Sequence, residues 1–339
     1  MKRDEKAMHD LYEKAMHGDA TAMSELKKEA DELEKVGKTI LCEVCIDGDT
    51  ERVRFILREF ADRNILIKHN SFNQTALLLA ASYGHYKVVK VFIEAATNFP
   101  WASSADNPIT SFQAFVRQPD KDSETALFLA ARNGYVDIVK LLVKADPSDI
   151  HIPNNQGKTP IYIAVERGYK EILEAICTTC AAQSLEAPGG TTALHALIKE
   201  KRQAEKKDIT MMGIIINAVK RWSTAEGASE NLLEAIFDIT DESGRNVLDL
   251  AVERNNYDAA ELILQEDPAY LRGCKKTGLM RLIFKLIDEH NKDLRELLSK
   301  TYQAGIDSRY KGVHDLILAI QRRDKESILR TILLLTRYK

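Results

Sequence analysis

An all-α solenoid built from stacked helix pairs is the fold that the sequence predicts, on three observations. Apolar segments with near-identical wording recur about one repeat length apart, each starts at a Thr and stops at a Gly, and each is followed by a second apolar segment of helical period. Composition agrees: 45% of the 339 residues are hydrophobic and 29% charged, with only 16 Gly and 8 Pro, the balance of a folded chain with few breakers.

The first helix of each pair is read from three segments that align residue for residue: Gln74 to His85, Glu124 to Tyr135 and Lys158 to Tyr169. Thr75, Thr125 and Thr159 stand where a side-chain oxygen must accept from an orphan N–H of the first turn, and Pro160 sits where its missing donor costs little. Ala80, Ala81, Ala130, Ala131 and Ala164 allow neighbouring helices to approach closely, while Leu77, Leu127 and Ile161 fill the seam between them. Gly84, Gly134 and Gly168 then end the helix. The second helix follows as Val88 to Ile93, Ile138 to Val143 and Ile172 to Ile176.

With the first apolar position as a marker, the register runs Leu11, Leu41, Leu77, Leu127, Ile161, Leu194, Leu248, Leu282 and Leu316, spaced by 30, 36, 50, 34, 33, 54, 34 and 34 residues. The two long spacings each read as a repeat plus an insertion. The predicted organisation is an N-terminal capping repeat over residues 1–36, repeats over 37–270 with insertions near 97–120 and 199–243, and degenerate C-terminal repeats with a cap over 271–339. This makes about eight to nine helix-pair units.

The wording of these units resembles the ankyrin repeat, whose T-P-L-H-x-A core recurs at about 33 residues. Thr159 to Lys170, then Gly190 to His195, with Leu11-Tyr12-Glu13-Lys14-Ala15 and Gly18-Asp19 at the start, resemble the soluble ankyrin domain of plant ankyrin-transmembrane proteins of the accelerated-cell-death type. That resemblance covers residues 10 to 265 and implies protein binding, in immunity and cell-death signalling. It also implies C-terminal membrane helices, and no apolar run here approaches the roughly 20 residues a span needs. The expectation is a naturally membrane-free relative or the regulatory cytosolic module of a membrane protein.

The first insertion carries Pro100, Trp101, Pro108, Phe112, Phe115 and Pro119. Two readings stand: an ordered lip that binds a partner, or aromatics folded back over the adjacent helix pair. In the second, Lys199 to Lys207 is expected to prolong the inner helix, followed by a turn and a short helix at Glu230 to Asp238. The basic residues there alternate with Glu200, Glu205 and Asp208, as on a solvated helical face.

Residues that could carry chemistry are few. Cys42-x-x-Cys45 and Cys177-x-x-Cys180 have zinc spacing, but the register places Cys45 at a small-residue position and Cys42 at the repeat's His position, so packing is expected. His195 occupies that same His position and is expected to bond a neighbouring turn. With no phosphate loop, nucleophile elbow or metalloprotease helix, the sequence predicts no enzyme, cofactor or metal. A net charge of −3 supplies no field that would draw nucleic acid. The charged N-terminus and lack of a disulfide framework predict a cytoplasmic protein.

The expected function is therefore binding of another protein by the concave surface of fingers and inner helices, as in a scaffold or adaptor. Tyr83, Arg132, Asn133 and Arg167 follow the small positions and are expected to face that groove, with Trp101 and Phe112 contributed by the insertion. Joint reversal of Arg132 and Arg167 is expected to abolish capture without changing the melting temperature. The rival is an enzyme or small-molecule pocket roofed by the 97–120 insertion.

Overall fold

The computed structural model describes residues 5–35, 39–60, 65–98, 112–147, 152–179, 191–199, 206–223, 232–254 and 256–266. Trp101, Cys180 and the expected C-terminal repeats at Leu282 and Leu316 lie outside the described residues. The chain divides into two units, Met1–Ala181 and Ala182–Lys339. Among the described residues all regular structure is helical, and a bridge between His69 and Thr75 closes a turn.

In the first unit, α1 (Glu5–Met16) and α2 (Ala20–Lys35) form the N-terminal pair. Asp19 caps α2 by accepting from Thr21 and Ala22, and Tyr12 and Leu26 are buried beneath. The inner helices are α3 (Ile40–Asp47), α5 (Ala76–Tyr83), α8 (Ala126–Asn133) and α10 (Pro160–Arg167). Their outer partners are α4 (Thr50–Glu59), α6 (Tyr86–Thr97), α9 (Val136–Ala145) and α11 (Lys170–Thr179). Each inner helix packs on the next, and so does each outer helix, which leaves a continuous core of Leu41, Leu77, Leu127 and Ile161 between the layers.

Local chemistry explains these boundaries. The Oγ1 of Thr39 accepts from the Cys42 N–H at 3.1 Å, and those of Thr75, Thr125 and Thr159 accept from Leu78, Phe128 and Tyr162 at 3.3 Å. Each such cap stabilises a helix by about 1 kcal/mol. At the other end of α5, Gly84 takes φ +82°, so the His85 N–H can donate to the Ala80 carbonyl at 2.9 Å. Helices of only eight residues persist because both ends are closed and one face is buried.

The first insertion contributes α7 (Phe112–Val116), which packs on α6. Phe115 is 1% exposed and Val116 fully buried, so this part of the insertion folds back as core, whereas Phe112 is half-buried. Arg117 then donates from both Nε and Nη2 to the Asp146 carboxylate, the latter at 2.9 Å, tying the segment to the end of α9.

The second unit contains α12 (Ala193–Lys199), α13 (Lys206–Ser223), α14 (Leu232–Asp238), α15 (Val247–Glu253) and α16 (Tyr257–Glu266). Inner helices α12 and α15 pack together, and outer helices α13 and α16 pack together, with α14 against α13 and α15. The short helix expected at Glu230 to Asp238 forms as α14. The expected extension of the inner helix runs over residues 200–205, which lie outside the described residues, and Lys206 and Lys207 at its far end belong to α13. The buried stripe of Met211, Met212, Ile215, Ile216 and Val219 belongs to an outer helix and gives α13 its own direction.

Candidate partner-binding surface

Four finger turns precede the inner helices, and one side chain builds each of them. Asn70, Asp120, Asn154 and Asp241 each stand five residues before a capping residue. Their Oδ1 atoms accept from the N–H groups two and four residues on: Phe72 and Gln74, Asp122 and Glu124, Gln156 and Lys158, Ser243 and Arg245, all between 2.9 and 3.1 Å. A short Asn or Asp can span both donors without leaving the turn. Neighbouring fingers are also stitched together, since the Asn155 N–H donates to the Asp122 carbonyl at 3.0 Å and Asn155 Nδ2 to the Lys121 carbonyl at 3.0 Å.

Because the inner helices share their caps and stack in order, equal offsets from the cap define rows across the first unit. Eight residues beyond Thr39, Thr75, Thr125 and Thr159 lie Asp47, Tyr83, Asn133 and Arg167; seven beyond lie Ile46, Ser82, Arg132 and Glu166. Asn133 Nδ2 donates to the Ser82 carbonyl at 2.9 Å, which joins adjacent repeats along this row. Tyr83 stacks on His85, ring centroids 6.2 Å apart and planes within 12°, and His85 Nε2 donates to the Ile46 carbonyl at 2.9 Å. Large exposed apolar side chains among the described residues are Ile46, Phe72, Tyr83 and Tyr86, with Phe72 62% and Tyr83 51% exposed.

A family model for ankyrin repeats, three copies long, matches residues 11–100 and 101–188, more than half of the chain. The chain belongs to the ankyrin-repeat family. No curated protein matches it at a significant level. Solved ankyrin structures share its fold: the ankyrin-repeat protein EF0377 is 18% identical with TM-score 0.51, covering 68% of this chain and 98% of its own. The ankyrin domain of Bcl-3, described as a unique member of the IκB protein family, gives the same identity and TM-score over 68% of this chain and 87% of its own. An ankyrin domain from Acinetobacter baumannii gives 18% and 0.51 over 67% and 96%. Ankyrin repeats are in general non-enzymatic protein-interaction modules, and the helices and caps described above are those of that scaffold.

Within these ankyrin repeats the six residues expected at the binding face have different situations. Tyr83 and Arg167 are exposed, and Arg167 has no partner among the described residues. Asn133 is exposed but its amide nitrogen is engaged by Ser82. Phe112 is half-buried on α7, and Trp101 lies outside the described residues. Arg132 is bound internally: its guanidinium donates to the Glu124 carboxylate, whose side chain is 9% exposed. Burial raises the Glu124 pKa, and Arg132 and Asn154 act against that rise. The expectation that Arg132 can be reversed without changing the melting temperature is therefore corrected, since reversal would set a second carboxylate beside a buried one.

The pair recurs with changing sign. Lys158 donates to Glu166 at 2.6 Å and Arg245 to Glu253 at 2.8 Å, each from the residue before the cap to the one eight further on. The spacing between residues of opposite charge was the signal for this pair in the sequence.

His195 behaves as its position implies. It is fully buried, its Nδ1 accepts from the Thr192 N–H at 3.2 Å, and its Nε2 donates to the Arg245 carbonyl of the next finger at 3.1 Å. Burial lowers its pKa, with the Arg245 carbonyl and Asp241 acting in the other direction. Cys42, at the same position in its repeat, donates through sulfur to the Gln74 carbonyl at 3.7 Å, so it replaces the histidine in kind. Burial pushes the Cys42 thiol up to about 11 and raises Cys45 as well, opposite to what a thiolate ligand or nucleophile needs. Among the described residues no group of three His, Cys, Asp or Glu side chains is placed to hold a metal ion, and no helix is long and apolar enough to cross a membrane.

Burial would raise the Asp241 carboxyl, but bonds from the Arg245 guanidinium and the Arg245 and Ser243 N–H groups outweigh it and hold the group well below the usual carboxylate range. Lys199 approaches it at 3.4 Å. This buried carboxylate organises the finger that receives His195. A groove of about 430 Å³ lies between the outer helices α4 and α6, lined by charged residues of both signs such as Arg54, Lys87, Lys90 and Glu94, which is unlike an apolar ligand pocket.

Proposed function

We propose that this chain is a protein-binding scaffold or adaptor whose partner lies across the finger turns and inner-helix ends of the first unit. One observation carries the reading: Tyr83, Asn133 and Arg167 occupy the same exposed row on three successive capped helices, beside fingers held rigid by their own side chains. An aromatic and an arginine presented from a rigid backbone suit a recognition surface, and the Tyr83 ring, already stacked on His85, has little freedom left to lose on binding. Phe112 on α7 belongs to the same proposal, as does Trp101, which lies outside the described residues, while Arg132 contributes through the position of Glu124.

The resemblance of Thr159 to Lys170 and of the opening segment to plant ankyrin-transmembrane proteins supports a finer reading: a cytoplasmic role in plant immune or stress signalling. The test is cross-linking capture from native cells, comparing the unaltered chain with the Tyr83→Ala, Arg167→Glu double variant. Both side chains are exposed, so the variant is expected to melt at the same temperature and to lose its partner. Retained capture with equal yield would reject this face.

A further inference from the structure

We infer that this surface takes an extended peptide segment carrying a large apolar side chain at one end and a carboxylate about six residues away. The inference rests on the protein-binding reading above and deepens it by giving the partner's chemistry.

The charge along the row is unequal once internal pairs are counted. Asp47 at one end stands 3.7 Å from Arg52, which offsets it. Arg132 is paired with Glu124, and Glu166 with Lys158. What remains for a partner is the exposed guanidinium of Arg167, which has no partner among the described residues, at one end and the apolar group of Ile46 and Tyr83 at the other. Stacking on His85 holds the Tyr83 ring in place, so an incoming side chain meets a preset surface.

Between these ends sits Asn133. Its Nδ2 is used by the Ser82 carbonyl, which leaves Oδ1 as the acceptor this exposed side chain offers to a peptide N–H. The order along the row is thus apolar anchor, main-chain reader, carboxylate fork. Guanidinium and carboxylate form two parallel charge-assisted bonds, a geometry that an apolar or basic segment cannot supply.

Spacing follows from the stacking. Tyr83 and Arg167 are separated by two steps between inner helices, each roughly 8–10 Å, or about 20 Å in all. An extended chain rises about 3.3 Å per residue and covers this in about six residues.

The experiment is display selection of random twelve-residue peptides on the full chain, followed by affinity measurement of the enriched sequences on the unaltered chain, Tyr83→Ala and Arg167→Glu. Thermal melts confirm that both variants stay folded. The expected result is enrichment of an aromatic or large aliphatic residue about six positions from Asp or Glu. Each variant should then lose at least tenfold in affinity, and a peptide with Lys for its acidic residue should bind Arg167→Glu better than the unaltered chain. Peptides that bind without an acidic residue, or bind Arg167→Glu equally well, would overturn the carboxylate assignment while leaving the binding face standing. No enrichment, or a self-associated dimer in sedimentation that Tyr83→Ala dissociates, would overturn the inference in favour of a folded partner or a second copy. Loss of the face itself shows only in the capture experiment, so the two failures are distinguishable.

Discussion

Reversing Arg132 separates a scaffold residue from a contact residue. Arg132→Glu removes the guanidinium from Glu124 and places a like charge beside a carboxylate whose side chain is 9% exposed. Stripping a partner from a fully buried ion costs about 3–5 kcal/mol. Because Arg132 is itself 33% exposed, water relieves part of that, and about 2 kcal/mol is expected. For a unit of this size such a loss lowers Tm by roughly 4–8 °C. The double variant Glu124→Lys, Arg132→Glu recreates the arrangement already present one repeat on, where Lys158 donates to Glu166, and is expected to recover at least half of the loss. Urea denaturation followed by far-UV circular dichroism measures both changes. Equal midpoints for Arg132→Glu and the unaltered chain would refute the internal role, and a double variant no better than the single one would refute the pairing.

Other perturbations test separate links. Gly84→Ala introduces a Cβ at φ +82° and 2.7 Å from the Tyr135 ring, so a destabilisation of about 2–3 kcal/mol is expected, part of it relieved by Tyr135→Leu; a loss unchanged in that background would deny the ring contact. Folding lowers the His195 pKa below its ordinary 6.5, so its contribution is complete above that value and is lost as pH falls through and below it, at up to about 1.4 kcal/mol per pH unit. A pH series of melts should show that slope in the unaltered chain and not in His195→Gln; the same slope in both would remove His195 as its source. Phe115→Ala is expected to cost about 3 kcal/mol because α7 is core, whereas a loss under about 0.5 kcal/mol would mark it as a loose lip. Cys42, with its thiol near 11, should react with a disulfide reagent only on unfolding, and rapid labelling of the native chain would contradict its burial.

Much of the fold could be read from residue types with one strong local role. The Thr caps, the small-residue seam and the terminating Gly residues each do in the structure what their spacing demanded, and His195 reaches the Arg245 carbonyl as its position required. The finger turns were equally present, as Asn70, Asp120, Asn154 and Asp241 five residues before a cap, but their meaning depends on backbone donors that a side-chain pattern does not display. Arg132 shows why the candidate site was harder. The eight-residue spacing of opposite charges is visible in the sequence, but it gains meaning only once the finger is known to fold back against the end of the helix.

The rings that rest on glycines reach across repeat boundaries: His85 on Gly48, Tyr135 on Gly84 and Tyr169 on Gly134. The finger-to-helix pairs Glu124–Arg132, Lys158–Glu166 and Arg245–Glu253, by contrast, each close within a single repeat. A repeat transplanted or duplicated as a block therefore brings its own finger-to-helix pair intact but inherits a steric demand on its predecessor, which must present a bare Cα at the receiving turn. Gene rearrangement in such an array is tolerant of sign and intolerant of side-chain bulk at one position per junction, and library design that shuffles these modules should hold that position constant.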